Sequence, residues 1–193
     1  LNIDVPAYGD LYSPTFTATA AEVFPSHSDK RKVTIVPSGK KCVISIASLM
    51  KGKHIQVGKL KYQVIKPPKP EFVLLVNGKE YDGTTAISSK SKVVLKIQPN
   101  ADFRSAMPKD ARYELDKIDL LVQKGTGAPI KVGSFSGANL LKIDMDLSTK
   151  LKDYKAGTKI YFKINKVYRV NFQNKKVEEH FSEAQKTIGA VLK

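Results

Sequence analysis

Lys59-Leu60-Lys61-Tyr62-Gln63-Val64-Ile65 runs into Lys66-Pro67-Pro68-Lys69-Pro70-Glu71, and Phe72-Val73-Leu74-Leu75-Val76 follows before Asn77-Gly78. Alternation puts Leu60, Tyr62 and Val64 on one face of an extended segment, the period-two pattern of a half-buried strand. Three prolines in four positions cannot donate ladder hydrogen bonds and favour an extended, stiff connector. Asn-Gly after an apolar run marks a tight hairpin, because both central residues take positive φ. Strand, stiff break, strand and hairpin together predict an all-β chain with a domain boundary near residue 68. One β domain is expected over 1–68 and a second over 69–193.

Working upstream, Lys32-Val33-Thr34-Ile35-Val36 stops at the turn-forming Pro37-Ser38-Gly39-Lys40. Cys42, Ile44 and Ile46 alternate with Lys41, Val43 and Ser45, and Lys51-Gly52-Lys53 marks the next turn. Short strands with turns roughly every 8–12 residues predict an Ig-like sandwich. Residues 1–26 carry Tyr8, Tyr12 and Phe16 beside an Ala–Thr alternation. They read as an edge strand or a lead-in, so the first domain is expected to be incomplete or strand-exchanged.

Downstream, Asp82-Gly83 is a second turn and 90–97 alternates again. Residues 113–122 read as one longer strand, with a bulge at Asp116-Lys117 where the alternation slips. Gly125-Thr126-Gly127-Ala128-Pro129 and Gly133-Ser134-Phe135-Ser136-Gly137 read as loops. Ser148 or Thr149 can cap a short helix, since Leu147, Leu151 and Tyr154 recur at helical spacing and Gly157 stops it. Residues 158–170 read as one strand, with Ile160, Phe162 and Ile164 on one face and Lys159, Tyr161 and Lys163 on the other. Residues 178–186 follow no clear period, and 187–192 can close the sheet.

The length of 193 residues and the 41% apolar content suffice for two cores. No apolar stretch approaches the ~18 residues of a membrane span. Leu1 is not methionine and no signal-peptide pattern follows it. The chain is therefore expected to be a piece of a longer protein, with any export signal or anchor upstream. Cys42 is the single cysteine, so no internal disulfide forms. That fits a reducing compartment or a disulfide-free periplasmic protein, with Cys42 acting as a small buried hydrophobe. The net charge is +15, with 11 basic and 4 acidic residues up to residue 70 and 22 basic and 14 acidic after it. Such a field attracts acidic proteins, nucleic acid or anionic lipid.

Chemistry is hard to find. His27, His54 and His180 have no metal-ligand spacing, and Cys42 is far from all three in sequence. Asp144-x-Asp146 lacks the glycine and closing glutamate of a calcium loop and reads as an exposed strand face. Gly133-Ser134-Phe135-Ser136-Gly137 has Phe135 where a nucleophile elbow needs serine. There is no phosphate-cradling Gly-Lys-Ser/Thr loop and no dinucleotide fingerprint. The carboxylate pair Asp116/Asp119 shows no sign of opposed environments. The expectation is no catalytic residue, no metal ligand and no cofactor. The alternative function is a basic β-sheet nucleic-acid-binding protein, because lysines interleave with Tyr161, Phe162, Tyr168 and Phe172 between 159 and 176. Phe162 falls on the apolar face, which disfavours nucleic acid as a partner.

Two stretches carry a resemblance. Val33-Thr34-Ile35-Val36-Pro37-Ser38-Gly39-Lys40-Lys41 is followed by Gly58-Lys59-Leu60-Lys61-Tyr62-Gln63-Val64 and the proline-rich exit to Asn77-Gly78-Lys79. Tyr154-Lys155-Ala156-Gly157-Thr158-Lys159-Ile160-Tyr161-Phe162-Lys163-Ile164 comes late in the chain. In order and spacing these resemble the C-terminal half of the GldM/PorM gliding-motility family, over most of residues 32–193. The resemblance implies a periplasmic homodimer anchored in the inner membrane, and no enzyme. It implies a proton-driven motor formed with a GldL-type partner through upstream regions, and a far end that meets an outer-membrane GldK/GldN-type lipoprotein complex. The machine would serve type IX protein secretion and gliding. With the second domain at the distal end, the expected partner-binding residues are Lys159, Tyr161, Lys163, Arg169, Lys175 and Lys176.

Overall fold

A computed structural model describes residues 2–4, 14–50, 52–137 and 141–193. Tyr8 and Tyr12 lie outside the described residues. The chain divides into two compact units, Leu1–Lys66 and Pro67–Lys193.

The first unit holds β1 (Asn2–Asp4), β2 (Pro14–Thr19), β3 (Ala21–Pro25), β4 (Lys32–Pro37), β5 (Lys41–Met50) and β6 (Lys53–Gln63). All pairings are antiparallel and make two three-stranded sheets, β1-β4-β3 and β2-β5-β6. Val33 and Ile35 of β4 pack with Cys42 and Ile44 of β5, and Phe16, Ala18, Val23 and Leu60 close around them. Cys42 is a buried free thiol within this core. The described residues among 1–26 thus contribute three strands in two sheets, more than the edge strand or lead-in expected. Their Ala–Thr alternation is used directly: Phe16 and Ala18 turn to the core, while the Thr15 and Thr19 hydroxyls donate to carbonyls of β5 at 3.2 and 3.3 Å.

The second unit opens with β7 (Glu71–Val76) and β8 (Lys79–Glu80), a hairpin closed by Asn77 and Gly78 at φ 52° and 83°. β9 (Lys92–Gln98) follows, then α1 (Ala101–Ala106), β10 (Arg112–Leu115), β11 (Ile118–Gln123), β12 (Ile130–Phe135) and β13 (Lys142–Asp146). β14 (Lys159–Ile164), β15 (Val167–Val170), β16 (Lys176–Glu178) and β17 (Thr187–Val191) complete it. The sheets run β13-β9-β7-β8, β12-β11-β14-β17 and β10-β15-β16. One core joins all three. Val93, Leu95 and Ile97 of β9 and Ile143 and Met145 of β13 pack with Ile118, Leu120 and Val122 of β11 and Ile160, Phe162 and Ile164 of β14. Tyr113, Leu115 and Val167 enter from the third sheet.

Three local expectations change. The slip at Asp116-Lys117 is not a bulge in one strand. It divides β10 from β11, and Asn165-Lys166 divides β14 from β15 opposite it. Asp116 N–H donates to the Lys166 carbonyl at 3.1 Å and Asn165 N–H to the Lys117 carbonyl at 3.0 Å. Two residues are interposed on each strand, so the register survives while the inward face changes parity. Leu115 and Ile118 are therefore both buried, as are Ile164 and Val167. The bulge in this region lies instead at Leu120/Leu121, against β12.

The helix expected after Ser148 is a series of tight turns. Leu151 N–H reaches the Leu147 carbonyl at 2.9 Å for one helical turn only, and Leu147 and Leu151 spend their spacing on the core. α1 is the only helix among the described residues; it is capped by Asn100, whose side chain accepts from Phe103 N–H, and buries none of its residues. With no apolar stripe, it left no periodicity to read. Gly133 to Phe135 lie in β12 rather than a loop. No helix among the described residues is long and apolar enough to cross a membrane.

Candidate partner-binding site

β14 lies between β11 and β17, so its outward row sits on a sheet interior rather than an edge. Ile160, Phe162 and Ile164 are fully buried, which turns Lys159, Tyr161 and Lys163 outward by strand parity. Each meets a cross-strand neighbour on both sides. Tyr161 faces Leu121 and Gly189, and Lys163 faces Asp119 and Thr187. The tyrosine ring lies across Gly189, about where a side chain would stand: a Cβ there would sit 3.5 Å from two ring carbons. The Tyr161 hydroxyl donates to Gln123 Oε1 at 2.5 Å, and Gln123 Nε2 donates to the Gly127 carbonyl at 2.8 Å. The ring is held on the sheet by both contacts.

Charges on this face are largely compensated. Lys163 pairs with Glu183 at 2.8 Å, and Lys186 meets the other oxygen of the same carboxylate at 3.0 Å. The hydrogen bonds from these two ammonium groups hold the Glu183 carboxyl below its ordinary range. Asp119 accepts from Ser134 at 2.6 Å and pairs with Lys131 at 2.9 Å. Burial pushes the Asp119 carboxyl up, but hydrogen bonds from Ser134, Lys131 and Asn165 outweigh it and the group stays below the usual value.

Arg169, Lys175 and Lys176 lie elsewhere. The break at Asn165-Lys166 carries the chain into the β10-β15-β16 sheet, where Arg169 pairs with Glu179 at 2.9 Å with both side chains largely covered. Lys176 pairs with Glu114 across the sheet. Lys175 sits in the β15–β16 turn, its N–H held by Asn171 Oδ1 at 2.9 Å. The structure therefore brings Lys159, Tyr161 and Lys163 into one row and sets Arg169 and Lys176 on a second sheet, with Lys175 in the turn between its strands. Two of the four aromatic residues of this stretch have internal duties: Phe162 is in the core and Tyr161 is bonded to Gln123.

Two lysines that sequence reading passed over belong beside Lys159. Lys124 in the β11–β12 loop and Lys155 in the turn before β14 line a cleft of about 480 Å³ with it. Each stands within two residues of a positive-φ glycine, Gly125 or Gly157, which was the signal in the sequence. Among the described residues, no group of three or more His, Cys, Asp or Glu is placed to hold a metal ion. Asp144 lies on the exposed face of β13 and pairs with Lys142 at 3.2 Å, while Asp146 caps Ser148. No curated protein matches this chain. Residues 68–183, more than half of it, match the family model described as the GldM C-terminal domain.

Proposed function

The chain belongs to the GldM family, and from that premise we propose that it is a non-enzymatic periplasmic module which couples an inner-membrane, proton-driven motor to outer-membrane components. The work served is type IX protein secretion and gliding motility. The match over residues 68–183 is the observation that carries this reading. On this reading the second unit meets a GldK/GldN-type lipoprotein complex through the face bearing Lys159, Tyr161 and Lys163, with Arg169 and Lys176 on the β10-β15-β16 sheet and Lys175 in its β15–β16 turn. Upstream regions meet a GldL-type partner, and the chain works as a homodimer.

The build of the second unit supports a mechanical role. A coupling element must pass displacement on without local yielding. The connector residues at its start are fastened to its body: the Tyr113 hydroxyl donates to the Pro68 carbonyl at 3.1 Å, and Lys69 Nζ donates to the His180 carbonyl at 2.6 Å. The Lys69 ammonium also lies 4.9 Å from the centre of the Phe181 ring, which packs on Phe72 at 5.0 Å between centroids. Proline removes backbone freedom just where the chain enters this anchored stretch.

Deletion of residues 67–193 from the full-length gene tests the proposal. Export of type IX cargo to the medium and spreading on agar should both be lost, with the truncated protein still present at normal abundance. Secretion at the parental level would end this reading.

A further inference from the structure

At one end of β14 the β11–β12 loop and the turns before β14 enclose the cleft that Lys159 shares with Lys124 and Lys155. Asp153 is the one carboxylate in its lining. Lysines 131, 142, 163, 166, 176 and 186 of this unit each have a carboxylate within ion-pair distance. Among the described residues, Lys124, Lys155 and Lys159 have none, as holds for most lysines of the unit, but these three line one cleft. Uncompensated ammonium groups are thus gathered in a concavity, where low-dielectric walls focus the field and favour an anionic occupant.

The walls are rigid even though the lysine stems are not. Gln123 braces the β11–β12 loop through the Gly127 carbonyl. Gly157 N–H donates to the Leu192 carbonyl at 2.8 Å, and the Thr158 hydroxyl donates to the Lys155 carbonyl at 2.7 Å. The size falls within the roughly 300–1,000 Å³ of ordinary ligand sites.

The aromatic content decides the class of anion. Tyr154 is the one aromatic side chain in the lining. Its ring packs against the main core, and Lys124 Nζ stands 5.1 Å from its centre. A single half-buried ring gives no run of platforms for successive bases to stack on, as single-stranded nucleic acid requires. No arginine fork is present to grip a phosphate in two places. Three mobile point charges along a fixed groove suit carboxylates spaced along a peptide. We propose that this cleft takes an acidic peptide segment of a partner protein, whose carboxylates meet Lys124, Lys155 and Lys159. The inference rests on the partner-binding reading above only in taking the occupant to be protein.

Fluorescence anisotropy of a labelled hexaglutamate peptide against the 193-residue chain tests it. The triple variant Lys124→Glu/Lys155→Glu/Lys159→Glu should weaken binding at least about ten-fold, which corresponds to about 1.4 kcal/mol. A control of equal charge change outside the cleft, Lys79→Glu/Lys90→Glu/Lys109→Glu, should weaken it less than about two-fold, the scale of exposed charges. If the reversal unfolds the chain, as judged by circular dichroism, the Lys→Gln triple at the same positions replaces it with the same expected order. Equal loss in both triples overturns the proposal, because binding then follows net charge alone. It is also overturned if oligothymidine or inorganic phosphate displaces the peptide as well as unlabelled hexaglutamate does. These results leave the deletion phenotype untouched, so failure of the cleft and failure of the coupling role are told apart.

Discussion

Tyr113 shows how much one side chain is asked to do. It is buried in the main core, yet its hydroxyl reaches the carbonyl of Pro68. Burial, with a smaller push from the Glu179 carboxylate and opposed by Arg169, raises the phenol from 10.0 to about 12. A raised phenol pKa means that the fold favours the protonated form. The stability it contributes is intact below pH 10 and is lost as pH rises towards 12. Tyr113 should therefore ionise late when phenolate absorbance is followed against pH, together with Tyr81, whose phenol burial also raises, and Tyr113→Phe should diminish that late step. The same variant should cost about 1 kcal/mol in urea unfolding, the worth of one buried neutral hydrogen bond. Asp29 behaves in the opposite sense. Hydrogen bonds from the Arg31 side chain and backbone hold its carboxyl down at about 2, from 3.8. The turn between β3 and β4 should keep its geometry as pH falls through 4 and loosen only near 2, which carboxyl carbon chemical shifts will report.

At the scale of elements, adjacent positions on β14 have opposite fates. Phe162 is fully buried, and Phe162→Ala should cost about 3–5 kcal/mol of the second unit's stability. Tyr161→Ala, one residue away, loses the ring lying over Gly189 and one hydrogen bond on the outer face, and should cost less than half as much in the same urea titration. A reversal of that order would mean that the strand's inward face is misassigned. The β5–β6 hairpin raises a different question. β6 is an edge strand of eleven residues, and Ile55 and Val57 on it are 44% and 37% exposed, with Leu49 of β5 at 49%. The exposed Ile55 and Val57 on a long edge invite pairing with another chain, while Lys53, Lys59 and Lys61 on the same strand oppose it. If the proposed homodimer uses it, light scattering at micromolar concentration should give twice the chain mass, and Ile55→Lys should shift it towards the monomer. A strictly monomeric parent chain would count against a dimer formed by these residues.

At the scale of the whole chain, two separate cores predict two unfolding events. Among the described residues, the first unit has four enclosed apolar residues in its central cluster, and the second joins twenty in one cluster. Burial of apolar area dominates stability, so the first unit should melt at lower temperature. Calorimetry should resolve two transitions, and a single cooperative one would show that the units are energetically coupled. Charge acts on another level. The surplus of fifteen positive charges is spread over both units, and in the second unit many lysines are neutralised by neighbouring carboxylates. Of the lysines with no carboxylate beside them, Lys124, Lys155 and Lys159 share one cleft, which net charge alone does not reveal.

Strand identity was legible in the chain because side-chain alternation is a local property: 32–36 and 159–164 announce their inward faces residue by residue, and Asn77-Gly78 announces its turn through backbone geometry. The all-β class follows from such signals. Partnership between strands is not local, and only the tertiary structure decided it. Nothing in 112–123 alone shows that its two halves belong to different sheets. The break becomes readable only beside Asn165-Lys166, where a matching pair lets both strands change face without losing register. The turns after Ser148 kept helical spacing, but the core claimed Leu147 and Leu151 before a helix could extend. The cleft is the clearest case. Lys124 and Lys155 are thirty-one positions apart in sequence, and the pairing of β11 with β14 is what places their loops at the same end of one sheet.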